Sequence, residues 1–529
     1  MNRRDVLRMG SACSLAALTN SATALTPDVP KASSLAQVPR WEVHEITLAG
    51  PSTGNPFVDV RIGAVFTLGH RTVAVDGFYD GEGRYKIRFM PDMEGAWSYT
   101  TTSNTPELDG KKGGFTCVAQ LEGIHGPVRV RNTHHFAYED GTPYFPFGTT
   151  CYAWVHQSEE MQRQTLATLR TAPFNKMRMC VFPKHYEYNH NEPALYPFER
   201  DAAGKHDFAR LNPAYFAHLE KRITDLRLLG IEADLILFHP YDRWGYAKMT
   251  AEADDRYLKY VMARMSAYRN IWWSLANEFD LMKEKSVSDF DRFFHIVEQH
   301  DPYGHLRSIH YSREMYDYSR PWVTHVCMQS SKFDVATEWR DSLRKPLLWD
   351  EVGYEGNLNR RWGNLAGDEM ARRFWLATIA GGYASHGETL LKESDALDED
   401  TTPNLWWAHG GELRGTSPER IGFLRKIVEE TAALADKRAK RTGLEAQASQ
   451  YYLNASATDE KGTGTLEILY YMDFHQPLFY EFPLPEGKFT AELINPWAMK
   501  ITKLDGTFTG RSKIRLAGKP YQAVRFRRV

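Results

Sequence analysis

The chain has 529 residues, more than one hydrophobic core usually holds, so its length predicts two or three domains. Lys and Arg together number 65 against 67 for Asp and Glu, a formal net charge of -2 that excludes a strong field for recruiting nucleic acid or an anionic membrane. After the N-terminal segment, no stretch approaches the about 18 consecutive apolar residues of a membrane span. The sequence leaves the oligomeric state open.

The N-terminal segment has the pattern of an export signal. The pair Arg3-Arg4 precedes a short apolar run from Met9 to Leu18, and a small-residue cleavage site ends at Ala24. This order is similar to a twin-arginine signal, although Val6 and Arg8 stand where that motif usually has Phe and Lys. The general secretory route therefore stays open. We predict a signal peptide over residues 1–24, cleavage after Ala24, and a periplasmic or secreted protein.

Four cysteines remain in the predicted mature chain, and they are scattered over more than 200 residues rather than paired at short spacings. Such spacing gives no metal or redox motif and no disulfide framework, so we expect buried thiols. His185, His190 and His239 fall in no zinc-binding spacing. The sequence therefore predicts neither a metal nor a cofactor.

A Pro-, Ala- and Ser-rich stretch over residues 25–40 is typical of a linker, and period-two alternation begins near Trp41. Segments Phe57–Ile62 and Tyr85–Phe89 alternate in the manner of antiparallel strands. The pattern predicts an immunoglobulin-type β-sandwich over residues 41–122.

From about residue 127 the pattern changes to apolar strands that alternate with amphipathic helices, which is typical of parallel βα units. The clearest helix is Asn212–Leu229, capped by Asn212 and followed at once by a strand. Eight strands are predicted: Tyr144–Gly148, Lys176–Phe182, Ala233–Phe238, Ile271–Leu275, Arg307–His310, Val323–Met328, Pro346–Trp349 and one around Thr378–Tyr383. Eight such units indicate an α/β fold, a (β/α)8 TIM barrel over residues 127–437.

The barrel pattern ends with a helix near Gly422–Ala435, after which short alternating strands return. Thr465–Tyr471 and Ala523–Phe526 are the clearest of these strands. They predict a second β-sandwich over residues 438–529.

Two glutamates follow apolar strands, at the end of a barrel where catalytic residues are found. Glu278 ends the fourth predicted strand after Asn277, and Glu351 ends the seventh after Asp350. Glycoside hydrolysis needs one carboxyl group that donates a proton and one ionised carboxylate that faces the anomeric carbon. Asp350 and Glu355 compete with Glu351 for the second role, but strand alternation favours Glu351, with Asp350 expected in the barrel wall.

This arrangement resembles the clan A glycoside hydrolases, which have Asn-Glu after strand four and Glu after strand seven. The resemblance implies a retaining mechanism in which Glu278 is the acid/base, Glu351 is the nucleophile and Asn277 binds the sugar 2-hydroxyl. It further implies that Arg178 on strand two keeps Glu351 ionised, so we expect the pKa of Glu351 to be lowered. The order sandwich, barrel, sandwich and the segments Gly148–Trp154 and Met328–Ser331 are similar to bacterial apiosidase-like hydrolases with an N-terminal immunoglobulin-like accessory domain.

Other polar and aromatic residues fall at or just beyond predicted strand ends, where they can bind a sugar or serve in packing. These candidate substrate-binding residues are Trp154, His239, Tyr241, His310, Gln329, His386 and Trp406. The sequence thus predicts an enzyme that cleaves O-glycosidic bonds of a poly- or oligosaccharide. A non-catalytic glycan-binding protein on a degenerate barrel and a transglycosylase remain the alternatives, and the identity of the sugar stays open.

Overall fold

A computed structural model describes residues 35–392, 403–439, 445–447, 453–458 and 465–529. The predicted signal peptide and most of the predicted linker lie outside the described residues. Within the described ranges, no helix is both long enough and apolar enough to cross a membrane.

The N-terminal domain is a strand-rich unit whose seven strands form one continuous sheet, folded over a core that includes Phe66, Phe89 and Trp97. Its elements are β1 Gln37–Pro39, β2 His44–Ala49, α1 Pro56–Asp59, β3 Ile62–Leu68, β4 Arg71–Tyr79, β5 Arg84–Phe89, β6 Gly95–Ser103 and β7 Lys112–Val118. The strand order is β1-β7-β6-β3-β4-β5-β2.

Two details of this domain differ from the sequence prediction. Strand β1 lies inside the predicted linker and pairs in parallel with β7. The predicted strand Phe57–Ile62 is instead the short helix α1, followed by β3. Pro56 occupies a helical first-turn position, and the Asp59 carboxylate accepts a 2.8 Å hydrogen bond from the Asn55 N–H. These local interactions favour a helical turn over the alternating pattern.

A three-stranded antiparallel sheet connects this domain to the barrel: β8 Val128–Arg131, β9 His135–Tyr138 and β10 Pro143–Tyr144. It closes the amino-terminal end of the barrel, because the Phe136 ring packs against Trp272, His325 and Tyr383 from three barrel segments. The opposite end of the barrel, where the strands finish, stays available for a site.

Eight parallel strands form the barrel, and the prediction of a TIM barrel flanked by strand-rich domains is confirmed. The strands are β11 Phe147–Thr150, β12 Lys176–Cys180, β15 Glu232–Phe238, β16 Ile271–Ala276, β17 Arg307–Ser308, β18 Val326–Gln329, β19 Leu347–Glu351 and β21 Tyr383–His386. Their order is β17-β16-β15-β12-β11-β21-β19-β18, and a parallel bridge between His310 and Cys327 joins the two ends of the sheet.

Seven longer helices accompany the barrel: α2 Glu159–Leu169, α3 Pro213–Leu228, α4 Ala251–Met265, α5 Val287–His300, α6 Ala336–Leu343, α7 Gly367–Ile379 and α8 Ser417–Ala439. Short strands project from the loops: β13 Phe198–Arg200 pairs with β14 His206–Leu211, while β20 Glu355–Gly356, β22 Glu388–Leu391 and β23 Asn404–Trp406 form a small sheet. Helix α3 confirms the predicted helix, with the Asn212 side chain accepting a hydrogen bond from the Ala214 N–H.

The eighth barrel strand was predicted too early, around Thr378–Tyr383. Thr378 belongs to helix α7, and β21 begins only at Tyr383. Gly381, with φ +76°, takes a left-handed conformation just after the helix and separates the two elements. A short apolar run does not distinguish a buried helix from a buried strand, which explains the error.

The C-terminal domain has two layers. Its strands are β24 Glu445–Gln447, β25 Leu453–Thr458, β26 Thr465–Met472, β27 Phe479–Pro483, β28 Phe489–Asn495, β29 Lys500–Phe508, β30 Arg511–Arg515 and β31 Gln522–Arg528. The β27–β30 pair packs on the six-stranded sheet through Phe482, whose ring centroid lies 4.9 Å from that of Tyr470 and 5.2 Å from that of Phe526. The ring of Tyr471 on this sheet stacks on Trp375 of α7, which holds the domain against the barrel.

The N-terminal domain docks on the barrel through a buried charge cluster. Arg88 of β5 donates two hydrogen bonds, of 2.6 and 3.1 Å, to the Glu220 carboxylate on α3. Arg264 of α4 also donates to Glu220, and it pairs with Asp80 at 2.8 Å. All of these side chains are buried or nearly so, so the two domains are fixed by paired charges that water does not screen.

Candidate active site

Glu278 directly follows β16, at the carboxyl end of the barrel. Its backbone is left-handed, with φ +49° and ψ +55°, an uncommon conformation for a residue with a side chain. The carboxylate accepts hydrogen bonds from the Tyr241 hydroxyl and, at 3.2 Å, from the Asn277 side-chain amide. Such strain persists where the surrounding structure fixes a residue, and it is often associated with functional sites.

Glu351 is the last residue of β19, and its two carboxylate oxygens have separate partners. The Tyr152 hydroxyl donates to one oxygen at 2.9 Å, and the Gln329 amide donates to the other at 3.0 Å. Tyr354 donates in turn to the Tyr152 hydroxyl at 3.3 Å. Tyrosine and amide donors therefore hold both glutamates at the same end of the barrel.

A β-bulge lets two consecutive carboxylates reach the barrel interior. Between β18 and β19, the register runs from Cys327 opposite Leu348 to Gln329 opposite Glu351, so β19 contains one extra residue. Asp350 points into the barrel, where it accepts hydrogen bonds of 2.8 Å from Lys176 and from Ser385. The expectation that Asp350 faces the barrel wall was wrong because strict alternation fails at a bulge.

The electrostatics of Glu351 also differ from the expectation. Burial and the neighbouring Glu278 carboxylate raise the pKa of Glu351 to about 7, although Lys184, Tyr152 and Arg178 act in the opposite direction. The expected lowering of this pKa was therefore wrong for the ligand-free protein. Of the neighbouring charges, Glu278 contributes most to this rise, because a nearby anion opposes ionisation.

Arg178 forms its ion pairs with aspartates of the barrel interior rather than with Glu351. Its Nε lies 3.6 Å from the Asp234 carboxylate and 4.0 Å from that of Asp350, and the side chain is fully buried. Lys176 pairs with the same two aspartates at 2.5 and 2.8 Å, so two cations and two anions balance. Arg178 still touches the site through its Nη2, which donates to the side-chain Oδ1 of Asn277 at 3.4 Å. This contact fixes the orientation of the amide that donates to Glu278.

Sequence reasoning missed a buried cation that lies against the tyrosines holding the two glutamates. Lys184, four residues beyond β12, is buried among aromatic rings, with its Nζ 4.1 Å from the centroid of Tyr241 and 4.4 Å from that of Tyr152. Tyr186 and Trp406 complete the box at 5.2 and 5.5 Å. Tyr152 ends the segment after β11, so the strand-end rule was able to find it, whereas Lys184 lies on a loop and gives no such signal.

The predicted binding residues lie in three places in the structure. Tyr241, Gln329 and Asn277 contact the glutamates, and Trp406 lies in an aromatic cluster with Tyr186 and Tyr188 beside them. These placements bring four of the candidates together at one end of the barrel.

Trp154 and His386 lie elsewhere. Trp154 is fully buried, and its indole N–H donates to the Gln162 carbonyl oxygen of α2. His386 stacks on Phe174 in the helix layer, while its neighbour Ser385 faces the barrel interior. Among the described residues, neither side chain has a hydrogen bond to Glu278 or Glu351, and the binding role of both stays a prediction.

His239 and His310 are buried behind the site. The His239 Nε2 lies 3.1 Å from the Phe182 carbonyl oxygen, and burial lowers its pKa to about 4. Among the residues that the structure describes, neither ring nitrogen of His310 has a hydrogen-bond partner, and burial lowers its pKa well below the usual value. Both rings are therefore neutral at pH 7, and the His239 ring stacks on that of Tyr241. The binding role of both histidines stays a prediction.

One group of potential metal ligands lies near His386. A ring nitrogen of His386 and one oxygen each of Glu355 and Glu388 lie within 4.8 Å of one another. The Glu355 carboxylate, however, accepts hydrogen bonds from the N–H and hydroxyl groups of Thr416 and Ser417. Glu388 accepts from the N–H groups of residues 414 and 415. Both carboxylates thus stabilise the start of α8, which removes Glu355 as a competitor of Glu351.

Comparisons with known proteins agree with this geometry. Residues 130–435 match the apiosidase-like catalytic domain family, while residues 37–104 and 458–527 match two domains of unknown function, DUF5060 and DUF5605. No curated protein matches the chain.

Among solved structures, a "putative glycoside hydrolase" from Bacteroides vulgatus is 39% identical, with a TM-score of 0.85, over 93% of this chain and all of that one. A family 5 glycoside hydrolase from the same organism is 14% identical, with a TM-score of 0.55 over 76% of this chain and 94% of its own, and shows the shared fold. Family and fold are those of glycoside hydrolases, and the chain belongs to the apiosidase-like family.

Proposed function

We propose that this protein is a retaining glycoside hydrolase in which Glu351 is the nucleophile and Glu278 is the general acid/base. The observation that carries the proposal is the pair of glutamates at the ends of β16 and β19. Each is oriented by a tyrosine hydroxyl and an amide, and burial together with the Glu278 charge raises the pKa of Glu351 to about 7. Retaining glycosidases use two carboxyl groups at this end of a barrel, one protonated and one ionised.

In the first step, the Glu351 carboxylate attacks the anomeric carbon while Glu278 gives its proton to the departing glycosidic oxygen. The bond from the anomeric carbon to that oxygen breaks, and an ester bond to Glu351 forms. In the second step, Glu278 takes a proton from water, whose oxygen attacks the same carbon and releases Glu351. The sugar leaves with its original anomeric configuration, and no cofactor takes part.

The surroundings of the glutamates support a carbohydrate substrate. Asn277 is held by Arg178 on its carbonyl side and directs its amide toward Glu278, where the resemblance to clan A enzymes assigns it the sugar 2-hydroxyl. Tyr186, Tyr188 and Trp406 offer ring faces and edges beside this point. Aromatic faces of this kind stack on the apolar faces of sugar rings.

The test is hydrolysis of a panel of aryl pyranosides, aryl furanosides and polysaccharides by wild type, Glu278→Gln and Glu351→Gln. Glu232→Gln is the matched control, because Glu232 is another buried glutamate of the barrel whose carboxylate accepts from the Trp272 indole N–H, 3.1 Å away. We expect both site variants to lose hydrolysis and the control to keep it. Full activity in Glu351→Gln overturns the assignment.

The same assay separates the alternatives. If wild type binds glycan but cleaves no substrate of the panel, the result supports a binding protein on a degenerate barrel. Transfer of the sugar to an added acceptor in preference to water identifies a transglycosylase. NMR of the first product distinguishes the two stereochemical courses, and an inverted anomer contradicts the nucleophilic role of Glu351.

We also propose that the protein is exported to the periplasm or beyond, because Arg3, Arg4 and the following apolar run form a signal pattern. N-terminal sequencing of the protein from the periplasmic fraction is expected to begin at residue 25. Retention of Met1 contradicts this proposal, and loss of export in Arg3→Lys/Arg4→Lys distinguishes the twin-arginine route from the general one.

A further inference from the structure

Lys184 occupies a fixed position between the two sides of the site. Its carbonyl oxygen accepts a hydrogen bond from the Asn189 side chain, and the next residue, His185, donates its N–H to the Tyr241 carbonyl oxygen at 2.8 Å. The loop that carries the lysine is therefore tied to the loop that carries Tyr241. This anchoring holds the buried ammonium in one place instead of letting it extend into water, as most lysines do.

The ammonium contacts the same two tyrosines that hold the glutamates. Tyr241, whose ring centroid lies 4.1 Å from the Lys184 Nζ, donates to Glu278, and Tyr152, at 4.4 Å, donates to Glu351. A cation over the ring face is attracted by the π-electrons, and this attraction strengthens in a desolvated site. Lys184 thus bridges the donors of both carboxylates.

The charge of Lys184 is not taken up by a partner, unlike that of Arg178. In the part of the chain that the structure describes, Lys184 forms no ion pair within 4.0 Å, whereas Arg178 and Lys176 are matched by Asp234 and Asp350. Burial lowers the pKa of Lys184, while Cys180 and then the Glu278 and Glu351 carboxylates act in the opposite direction. The site then consists of two carboxyl groups and one uncompensated cation.

We propose that Lys184 is the positioning residue that keeps the Glu351 carboxylate ionised, a role that the resemblance to clan A enzymes gives to Arg178. This inference rests on the proposed function of the two glutamates. The ammonium acts on Glu351 through its electric field, and it positions the rings of Tyr152 and Tyr241 through cation–π contacts. It favours the ionised form of Glu351. Among the cations near Glu351, Lys184 lowers its pKa more than Arg178 does.

The other groups that face Lys184 do not titrate in the working range. Burial lowers the pKa of His239 and of His409 to about 4 and that of His310 further, so these rings stay neutral. Burial raises the pKa of Cys180 and of Tyr186 to about 12.

The remaining facing groups keep a constant charge as well. The pKa of Tyr152 and of Tyr241 lies above the usual range, through burial and the adjacent glutamates, and Arg178 stays protonated. None of these surrounding groups changes charge between about pH 5 and pH 9. A shift of the pH profile in a Lys184 variant then reports on the effect of the Lys184 charge on the glutamates.

The experiment compares wild type, Lys184→Met and Lys184→Arg in the full chain, with Lys345→Met as the matched control. Lys345 is a second partly buried lysine, whose Nζ donates to the carbonyl oxygens of Tyr318 and Arg320 and contacts neither glutamate. For each variant, kcat/KM is measured from pH 4 to pH 9 on an active glycoside, and thermal melting verifies folding.

In Lys184→Met, we expect the acid limb of kcat/KM to move up by about one pH unit, because an opposite charge nearby lowers a carboxyl pKa by about one to three units. Activity at pH 6 then falls by about tenfold, since a group with a pKa above the pH loses ionisation by that factor per unit. In Lys184→Arg and in Lys345→Met, we expect the acid limb of kcat/KM to stay at the wild-type pH. A limb that stays at the wild-type pH in Lys184→Met, or that moves equally in Lys184→Arg, overturns the proposal.

A second readout does not depend on turnover. Infrared difference spectra of glutamate carboxylates labelled with ¹³C, with Glu351→Gln as the reference, follow the ionisation of Glu351 directly. We expect its titration to move upward in Lys184→Met, and an unchanged titration contradicts the inference. If wild type cleaves no glycoside while this titration still shifts, the proposed hydrolase function fails and the role of Lys184 stands.

Discussion

The strongest test of the coupled pair is to remove one of its charges and observe the other. Of the neighbouring charges, Glu278 raises the pKa of Glu351 most, and only burial acts more strongly in that direction. Glu278→Gln removes that charge and keeps the size and hydrogen-bonding capacity of the side chain. The pKa of Glu351 must then fall, because the nearby anion no longer opposes its ionisation.

The expected size of the effect follows from the geometry. The pKa of Glu351 is raised from 4.5 to about 7, and burial remains in the variant. If the Glu278 charge supplies about one unit of this rise, a typical contribution for a neighbouring charge, the pKa of Glu351 falls to about 6. At pH 6, the ionised fraction of Glu351 then rises from about one tenth to about one half, or about fivefold.

The assay uses a dinitrophenyl glycoside, whose leaving group departs without a proton and so does not need Glu278. The burst of dinitrophenolate in a stopped-flow instrument measures attack by Glu351 alone, and its rate is followed from pH 4 to pH 9. We expect the acid limb of the burst rate to lie about one unit lower in Glu278→Gln than in wild type. A limb at the same or a higher pH refutes the coupling, and Glu232→Gln, which leaves the site intact, is expected to keep the wild-type limb.

Three further predictions concern the frame around the site. Burial raises the pKa of Glu232 to about 8 from 4.5, so this carboxyl group is neutral when folded and ionises on unfolding. The free energy of unfolding should therefore fall as pH rises from about 4.5 to about 8. Urea denaturation at several pH values should show a smaller fall in Glu232→Gln than in wild type, and an equal fall in both proteins contradicts the prediction. Glu220→Ala leaves two buried guanidinium groups without their shared anion and should destabilise docking of the N-terminal domain by about 3 kcal/mol, measured as a lower denaturation midpoint. Trp406→Ala should raise KM more than it lowers kcat, whereas Trp154→Phe should lower only the melting temperature.

The sequence allowed the fold to be predicted, and it placed the two candidate glutamates at strand ends, for the same reason. Buried parallel strands appear as apolar runs, and a polar residue at the end of such a run marks the end of the barrel where chemistry occurs. Glu278 and Glu351 both follow runs of this kind. The strand borders were less certain: an apolar run around Thr378 belongs to a helix, and β21 begins five residues later.

The same rule failed where side-chain direction departs from strict alternation. The bulge in β19 turns Asp350 and Glu351 to the same side, and no residue pattern in the sequence announces it. His386 was placed beyond a strand end but belongs to β21, where it faces the helix layer. Lys184 was missed because its position depends on contacts between loops that are distant in the sequence, and alternation carries no information about these contacts.

Charged residues lie at two depths of the barrel, and they are paired differently at each. Deep in the barrel, Lys176 and Arg178 neutralise Asp234 and Asp350, so this layer adds no net charge to the site above it. At the site, Lys184 lowers the pKa of Glu351 and so favours its ionised form. A retaining glycosidase begins its reaction with one carboxyl group protonated and one ionised. Removing Lys184 should favour the protonated form of Glu351, and removing an interior aspartate should leave a positive charge below the site and favour the ionised form. The two perturbations are therefore expected to shift the acid limb in opposite directions, a contrast that a purely structural role for these residues does not produce.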